Sequence, residues 1–518
     1  MGTHRIAAAQ HATGQPRLFR KQHPMSYTYT RKHHITGWDP EDRQAWDAGG
    51  AQIAKRNLVW SIICEHIGFS IWSLFSVMVL FMSPKYGISL DQKFAITATA
   101  TFVGACLRIP YTQATAKFGG RNWAIFSAVV LLIPTGLVLM LMMNPGKFGF
   151  GWFLFVAALT GLGGGNFASS MTNINAFFPH RLKGWALGLN AGGGNLGVPV
   201  IQLIGLLVIW LSSDKPEIVC AIYLVALAFA AIGAAIFMDN LDHQTASYRS
   251  MVDCLKYRDT WLISLLYIGT FGSFIGFSFA FSQVLQISFK SSGVGNAALA
   301  AAQIAWIGPL LGSIARPYGG KLADRFGGGR ITFVCFLAMI ASSVLLVISG
   351  MAADAHAHHK IGTAQLIGFI VGFILLFLIS GIANGSVYKI IPTVFEHKAR
   401  NLTGLTTMGR VIWSRKMSGA LIGIAGAVGA LGGVGINLVL RSSYKANQSA
   451  TAAFWVFLAF YAIAAIITWF FYARSEIVLE ERETTDIPVT GETAGPADAD
   501  PVVDDAELSP SPAQGATK

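Results

Sequence analysis

Charge is scarce in this chain: Asp, Glu, Lys and Arg together make up only 12% of 518 residues. Soluble domains carry about twice that share, so an ordinary water-facing surface is excluded. Acids are scarcer still in the body of the chain. Of 26 in all, 11 lie from Glu476 onward, leaving 15 against 36 of the 38 bases in residues 1 to 475. That split, with a separate acidic tail, speaks against nucleic acid as a partner. Cysteine is sparse too. Of five, Cys64, Cys106, Cys220 and Cys335 fall inside apolar runs, as small buried hydrophobes without the spacing of a disulfide framework or a metal site.

What fills the chain is apolar sequence, 53% hydrophobic residues and a mean hydropathy of +0.52. Twelve runs can each cross a hydrocarbon core of about 30 Å. They lie near 58–81, 92–116, 121–143, 149–178, 184–212, 217–238, 258–287, 296–323, 329–350, 363–395, 415–440 and 450–473. Bases gather in alternate connections: Lys117 and Arg121; Arg181 and Lys183; Arg249, Lys256 and Arg258; Lys321, Arg325 and Arg330; and Lys398 to Lys416. The positive-inside rule puts these connections, and both termini, in the cytoplasm. Residues 1 to 57 lack the short apolar core and cleavage pattern of a secretory signal.

Two arginines stand within the apolar runs at matching places. Gly104 to Arg108 and Gly312 to Arg316 both read GxxxR, and each leads to Phe-Gly-Gly, at 118–120 and 326–328, an offset of 208 residues throughout. A guanidinium inside a membrane helix costs about 2.5 to 3.5 kcal/mol on insertion scales, so it needs a function or a partner. Duplication by an internal repeat points to an anion site on a pseudo-twofold axis of a carrier. The chain divides accordingly into a cytoplasmic leader 1–57, a six-helix bundle 58–240, a connection 241–257, a second bundle 258–475 and an acidic tail 476–518, expected to be disordered. GGGN ending at Asn166 and GIAN ending at Asn384 repeat the match between halves; both asparagines can also glue helices together.

The turn GGKLADRFGGGR, with Asp324, Arg325 and Arg330, resembles the loop signature of the major facilitator superfamily, and its counterpart AKFGGR lacks the acid. Glycine clusters in the fifth run (Gly192, Gly194, Gly197) and the eleventh (Gly426, Gly429, Gly432) suit close helix packing, or backbone lining the substrate path. The segments GLGGGNFASSMTNINAFFP, GWALGLNAGGGNLGVPVIQ, SLLYIGTFGSFIGFSFAF and GIANGSVYKIIPTVF, with the two arginines, resemble the nitrate/nitrite porter family (NarK type) of that superfamily from about Trp38 to Arg474.

The resemblance implies an all-α membrane protein of the major facilitator fold, twelve transmembrane helices in two bundles related by a pseudo-twofold axis. It implies secondary transport of nitrate and nitrite by alternating access, nitrate entering as nitrite leaves, in a monomer in the bacterial inner membrane. It is not an enzyme and needs no cofactor or metal. By the same resemblance Arg108 and Arg316 clamp the anion, Tyr267 donates to it, and Phe167 and Phe271 cover its faces; Asn195 and Asn173 match family asparagines. The chemistry agrees. Nitrate is flat, monovalent and without a proton to donate, which suits planar guanidinium forks and aromatic walls.

Two readings stay open at Glu65 in the first run. The family's exchangers carry no acid there. It can couple a proton to anion entry, making nitrate/proton symport the alternative, or form a structural ion pair with Lys389 or another base. Asp324, with Arg325 and Arg330, is a candidate conformational latch or a solvated helix cap. Rival classes are a carrier of another small anion, a nitrate sensor, and a haem-bearing respiratory subunit. The last calls for paired histidines within spans, and His66 alone lies in one; His356, His358 and His359 form a polar loop cluster.

Overall fold

The computed structural model describes residues 27–212, 215–242, 248–356 and 361–474; His358, His359 and the acidic tail lie outside them. Among the described residues, twelve helices are long and apolar enough to cross a membrane. They are α1 (Arg43–Phe81), α2 (Leu90–Phe118), α3 (Gly120–Met142), α4 (Phe150–Phe177), α5 (Arg181–Ser212), α6 (Glu217–Phe237), α7 (Arg258–Ser291), α8 (Ala297–Phe326), α9 (Gly328–Asp354), α10 (Thr363–Arg400), α11 (Gly409–Asn447) and α12 (Thr451–Ala473). Helices satisfy their own backbone hydrogen bonds, which is what lets such segments sit in hydrocarbon.

The first helix begins well before the apolar run at 58. Asp42 starts it, its Oδ1 accepting from the backbone N–H groups of Gln44 and Ala45. Likewise α10 and α11 extend past their apolar stretches, so the bases from Lys398 to Lys416 sit mostly on helix ends.

A small sheet interrupts the all-helical expectation. β1 (Thr28–Arg31) and β2 (His34–Thr36) form an antiparallel hairpin, and β2 pairs in parallel with β3 (Asn240–Leu241), just past α6. Buried Asp239 ties this sheet to α1, accepting from Arg56, from Asn57 Nδ2 at 3.2 Å and from His33 Nδ1 at 3.3 Å. The leader is therefore partly docked on the first bundle.

The internal repeat is visible in backbone geometry. The turns after α2 and α8 adopt nearly the same left-handed conformation, Gly119 at φ 85° and Gly327 at φ 89°, which favours glycine at both. Within each bundle, the glycine of GxxxR meets a glycine of the neighbouring helix. A Cβ on Gly164 of α4 would strike the backbone of Gly104 in α2, and one on Gly381 of α10 would strike Gly312 in α8. These glycine contacts bring α4 against α2 and α10 against α8, and so set the distance of each arginine from the helix beside it.

The halves meet chiefly where α2 runs along α11, where α5 meets α8, and where α1 meets α7. Polar contacts across that boundary cluster on the side of the 82–89 loop. Ser282 Oγ donates to Ser76 O at 2.7 Å, Gln286 Nε2 to Leu80 O at 3.1 Å, and Gln283 Nε2 to Leu90 O at 3.1 Å. Thr97 Oγ1 donates to Asn437 Oδ1 at 2.8 Å, and Arg441 pairs with Asp91 at 3.4 Å.

Candidate anion site between the bundles

Arg108 is 1% exposed and Arg316 6%, and both guanidiniums converge on one pair of rings. Arg108 Cζ lies 4.7 Å from the centroids of Phe167 and of Phe271; Arg316 Cζ lies 5.7 and 5.9 Å from the same two. Neither arginine faces lipid, which fits the rule that membrane charges turn toward the protein interior. Phe167 comes from α4 and Phe271 from α7, so the ring pair spans the bundle boundary.

Tyr267 completes the wall. It stacks on Phe271 at 5.2 Å with 7° between the planes, and its hydroxyl accepts from Arg316 Nη2 at 3.2 Å. Arg108 Nη1 donates to Gly426 O of α11 at 2.9 Å, and Trp72 flanks Arg108 at 5.5 Å. Arg108 Nε and Nη2 and Arg316 Nη1 have no hydrogen-bond partner among the described residues. Buried donors of a charged group are seldom left unpaired, so these N–H groups mark where an acceptor belongs.

Phe167 and Phe271 are 6.1 Å apart with 33° between them. A flat ion between two rings needs about 7 Å, two contact distances of about 3.5 Å. The slot must open by about 1 Å to take one.

Tyr388 of α10 belongs to the same cluster. Its ring lies 4.9 Å from that of Tyr267 and 5.1 Å from Arg316 Cζ, and its hydroxyl is buried beside them. Spacing carried the signal: Tyr388 falls four residues after Asn384, on the same helix face one turn along.

Other expected residues lie elsewhere. Asn173 is buried at the far end of α4, its Nδ2 3.4 Å from Ser61 Oγ and its amide packed on Gly120. Six residues beyond Phe167 amounts to about 9 Å along the helix and a different face, so it joins α4 to α1 and α3 rather than lining the slot. Asn195 is buried in α5, its Oδ1 without a hydrogen-bond partner among the described residues.

The glycines also separate. Gly429 and Gly432 pack α11 on α7, where a Cβ would strike Tyr267 or crowd Ile268 and Gly272; Gly197 packs α5 on α1 at His66 O; Gly194 lies against the carboxyl of Glu65. Gly426 instead borders the slot, a Cβ there reaching 3.6 Å from Arg108 Nη1 and 3.7 Å from Tyr388 Oη. Gly192 packs on nothing: a Cβ there would meet open space, and its neighbour Gly193 makes the contact with Ile62.

Lys389 pairs with Asp324 at 2.8 Å, which ties α10 to α8 within one bundle, not Lys389 to Glu65 across two. The ion pair expected as one reading of Glu65 is thus taken by another acid. Among the described ion pairs, the latch candidate Asp324 joins α8 to α10 within the second bundle; Arg325 lies over the ring of Phe326 beside it, and Arg330 is exposed at the start of α9.

Comparison with known proteins agrees with this architecture. The family model of the Major Facilitator Superfamily matches residues 62–415. The chain is 34% identical to the nitrate/nitrite transporter NarU of Salmonella typhimurium, over 86% of this chain and 97% of that one, and 34% identical to NarU of Escherichia coli with the same coverage. It is 30% identical to a probable nitrate/nitrite antiporter, NarK2, of Thermus thermophilus, over 85% of this chain and 96% of that one. Among solved structures, the nucleoside transporter NupG matches with a TM-score of 0.54 at 11% identity, over 80% of this chain and 98% of that one, a likeness of fold alone. With this fold, this pair of arginines and these relatives, the chain belongs to the nitrate/nitrite porter family of the major facilitator superfamily.

Proposed function

We propose that this protein carries nitrate and nitrite across the bacterial inner membrane by alternating access, taking up nitrate as nitrite leaves. The single observation that supports this reading is the pair of buried guanidiniums sharing Phe167 and Phe271, with three of their nitrogens left for an acceptor. Planar donors around a ring-walled slot suit a flat oxyanion and disfavour tetrahedral sulfate or phosphate. Relatives named as nitrate/nitrite transporters and antiporters point to the same substrates.

Exchange follows from electrostatics. With Glu65 protonated, two positive charges in an empty buried site are costly to move between states, and a bound anion lowers that cost. With basic loops inside, the polar contacts near the 82–89 loop close the outer side. One copy of the chain contains both arginines and both rings, which fits a working monomer.

Counterflow in proteoliposomes tests the reading. Liposomes loaded with nitrite are expected to accumulate labelled nitrate, and sulfate inside is expected not to replace nitrite. Equal counterflow with sulfate, or none with nitrite, would overturn the assignment.

A further inference from the structure

Glu65 is fully buried on α1, and the arginine slot does not use it. Its Oε2 accepts from Asn190 Nδ2 of α5 at 2.7 Å, and Asn190 is itself fixed by Ser170 of α4 through bonds of 2.7 and 3.0 Å. Its Oε1 has no hydrogen-bond partner among the described residues, and none of the described ion pairs includes Glu65. Gly194 makes room for it, since a Cβ there would strike the carboxyl.

The carboxyl lines a small cavity, about 20 Å³ open to a water-sized sphere, between α1, α3 and α4. That is room for about one water molecule. Most of its wall area is apolar, but seven of its eleven lining residues carry polar side chains, and two more of the lining atoms, Ser127 Oγ and Asn166 Oδ1, are unpartnered among the described residues. The cavity extends past Ser61 and Asn173 to Gly120 and Met238, at the helix ends on the side of the basic loops. A buried carboxylate in such a place requires nearby positive charge. The cations that act on it electrostatically are Arg316 and Arg108. Around it stand Cys64 and His66 on α1, the latter hydrogen-bonded to Gly193 O; Tyr111 on α2, Tyr267 on α7 and Tyr388 on α10 border the arginines; α3, α4 and α5 present only Ser and Asn.

We propose that Glu65, held by Asn190 and Ser170, is the proton site of this carrier, and that the cavity beside it is the path by which the proton leaves toward the cytoplasm. The proposal rests on the nitrate/nitrite reading and adds a second mode to it. With Glu65 ionised and the slot empty, two positive charges and one negative leave the site at +1. With a monovalent anion bound and Glu65 protonated, the sum is again +1. The carrier then reorients with the same charge loaded or empty, so it can return without an anion, and nitrate moves inward together with one proton. The linkage is reciprocal: an anion between the arginines offsets the charge that favours the carboxylate, so anion and proton each strengthen the other's binding by the same factor.

The test uses full-length protein in liposomes containing a pH-sensitive dye, read alongside labelled nitrate. Wild type is expected to acidify the lumen as nitrate enters without internal nitrite, and an acid-outside gradient is expected to speed that uptake. E65Q is expected to lose this proton-coupled net uptake by at least about tenfold, a typical coupling factor, while nitrite-for-nitrate counterflow continues. E65D keeps a carboxyl and is expected to retain proton movement. Nitrate entry without protons in wild type, or proton entry undiminished in E65Q, would overturn the proposal while leaving exchange intact. Loss of counterflow in wild type would instead overturn the nitrate/nitrite reading itself. Should E65Q not assemble, the wild-type and E65D measurements still decide.

Discussion

The two arginines are equivalent by repeat but differently employed. Arg108 reaches across the bundle boundary to the carbonyl of Gly426, whereas Arg316 donates to Tyr267 within its own half. Their surroundings differ as well. The first bundle adds a buried carboxyl and a small cavity beside it; the same offset of 208 from Glu65 falls on Ser273, which is bound to Tyr461 Oη at 2.7 Å. Duplication thus supplied two positive charges, and divergence gave one of them a role in holding the halves together and placed an acid in only one half.

That contrast can be broken most sharply at the arginines. R108K and R316K both replace a planar fork by a point charge, and each is expected to reduce counterflow by about 100-fold or more, from the loss of charge-assisted bonds of about 1.5 to 3 kcal/mol each. If the contrast holds, R108K alone also lowers thermal stability, since it alone removes a bond between the bundles. Equal destabilisation by both variants would erase the distinction.

Glycine on α11 sharpens it further. G429A is expected to abolish transport, because the added methyl meets the ring of Tyr267, while G426A, with 3.6 Å to Arg108 Nη1, is expected to keep the fold and lose affinity by a few-fold. A smaller effect is expected for Y388F, about three- to tenfold in apparent nitrate affinity, the worth of one neutral hydrogen bond. An unchanged affinity would leave Tyr388 as packing. The smallest is expected for D324N. Its ion pair with Lys389 is 61% and 38% exposed, and such pairs contribute about 0 to 1 kcal/mol, so counterflow should stay within a few-fold of wild type.

Much of this was legible in the sequence because membrane segments announce themselves by length and hydropathy, and because a buried arginine is rare enough to stand out. The offset of 208 paired Arg108 with Arg316, and the resemblance brought Tyr267, Phe167 and Phe271 to the same slot. What escaped was set by helix rotation and by partners far away in the chain. Asn173 and Asn166 share α4 with Phe167 but face the interior of the bundle. Lys389 had two acids within apparent reach, and only the packing of α8 on α10 selects Asp324. The hairpin 28–36 could not be read from a polar leader, since its third strand arrives from residue 240.

The most direct test is a density map of the protein in nitrate at saturating concentration. A flat, ion-sized feature between the rings of Phe167 and Phe271, within about 3 Å of nitrogens from both Arg108 and Arg316, is the expected result. Bound nitrate found elsewhere, or touching only one guanidinium, would contradict the shared clamp on which the account stands.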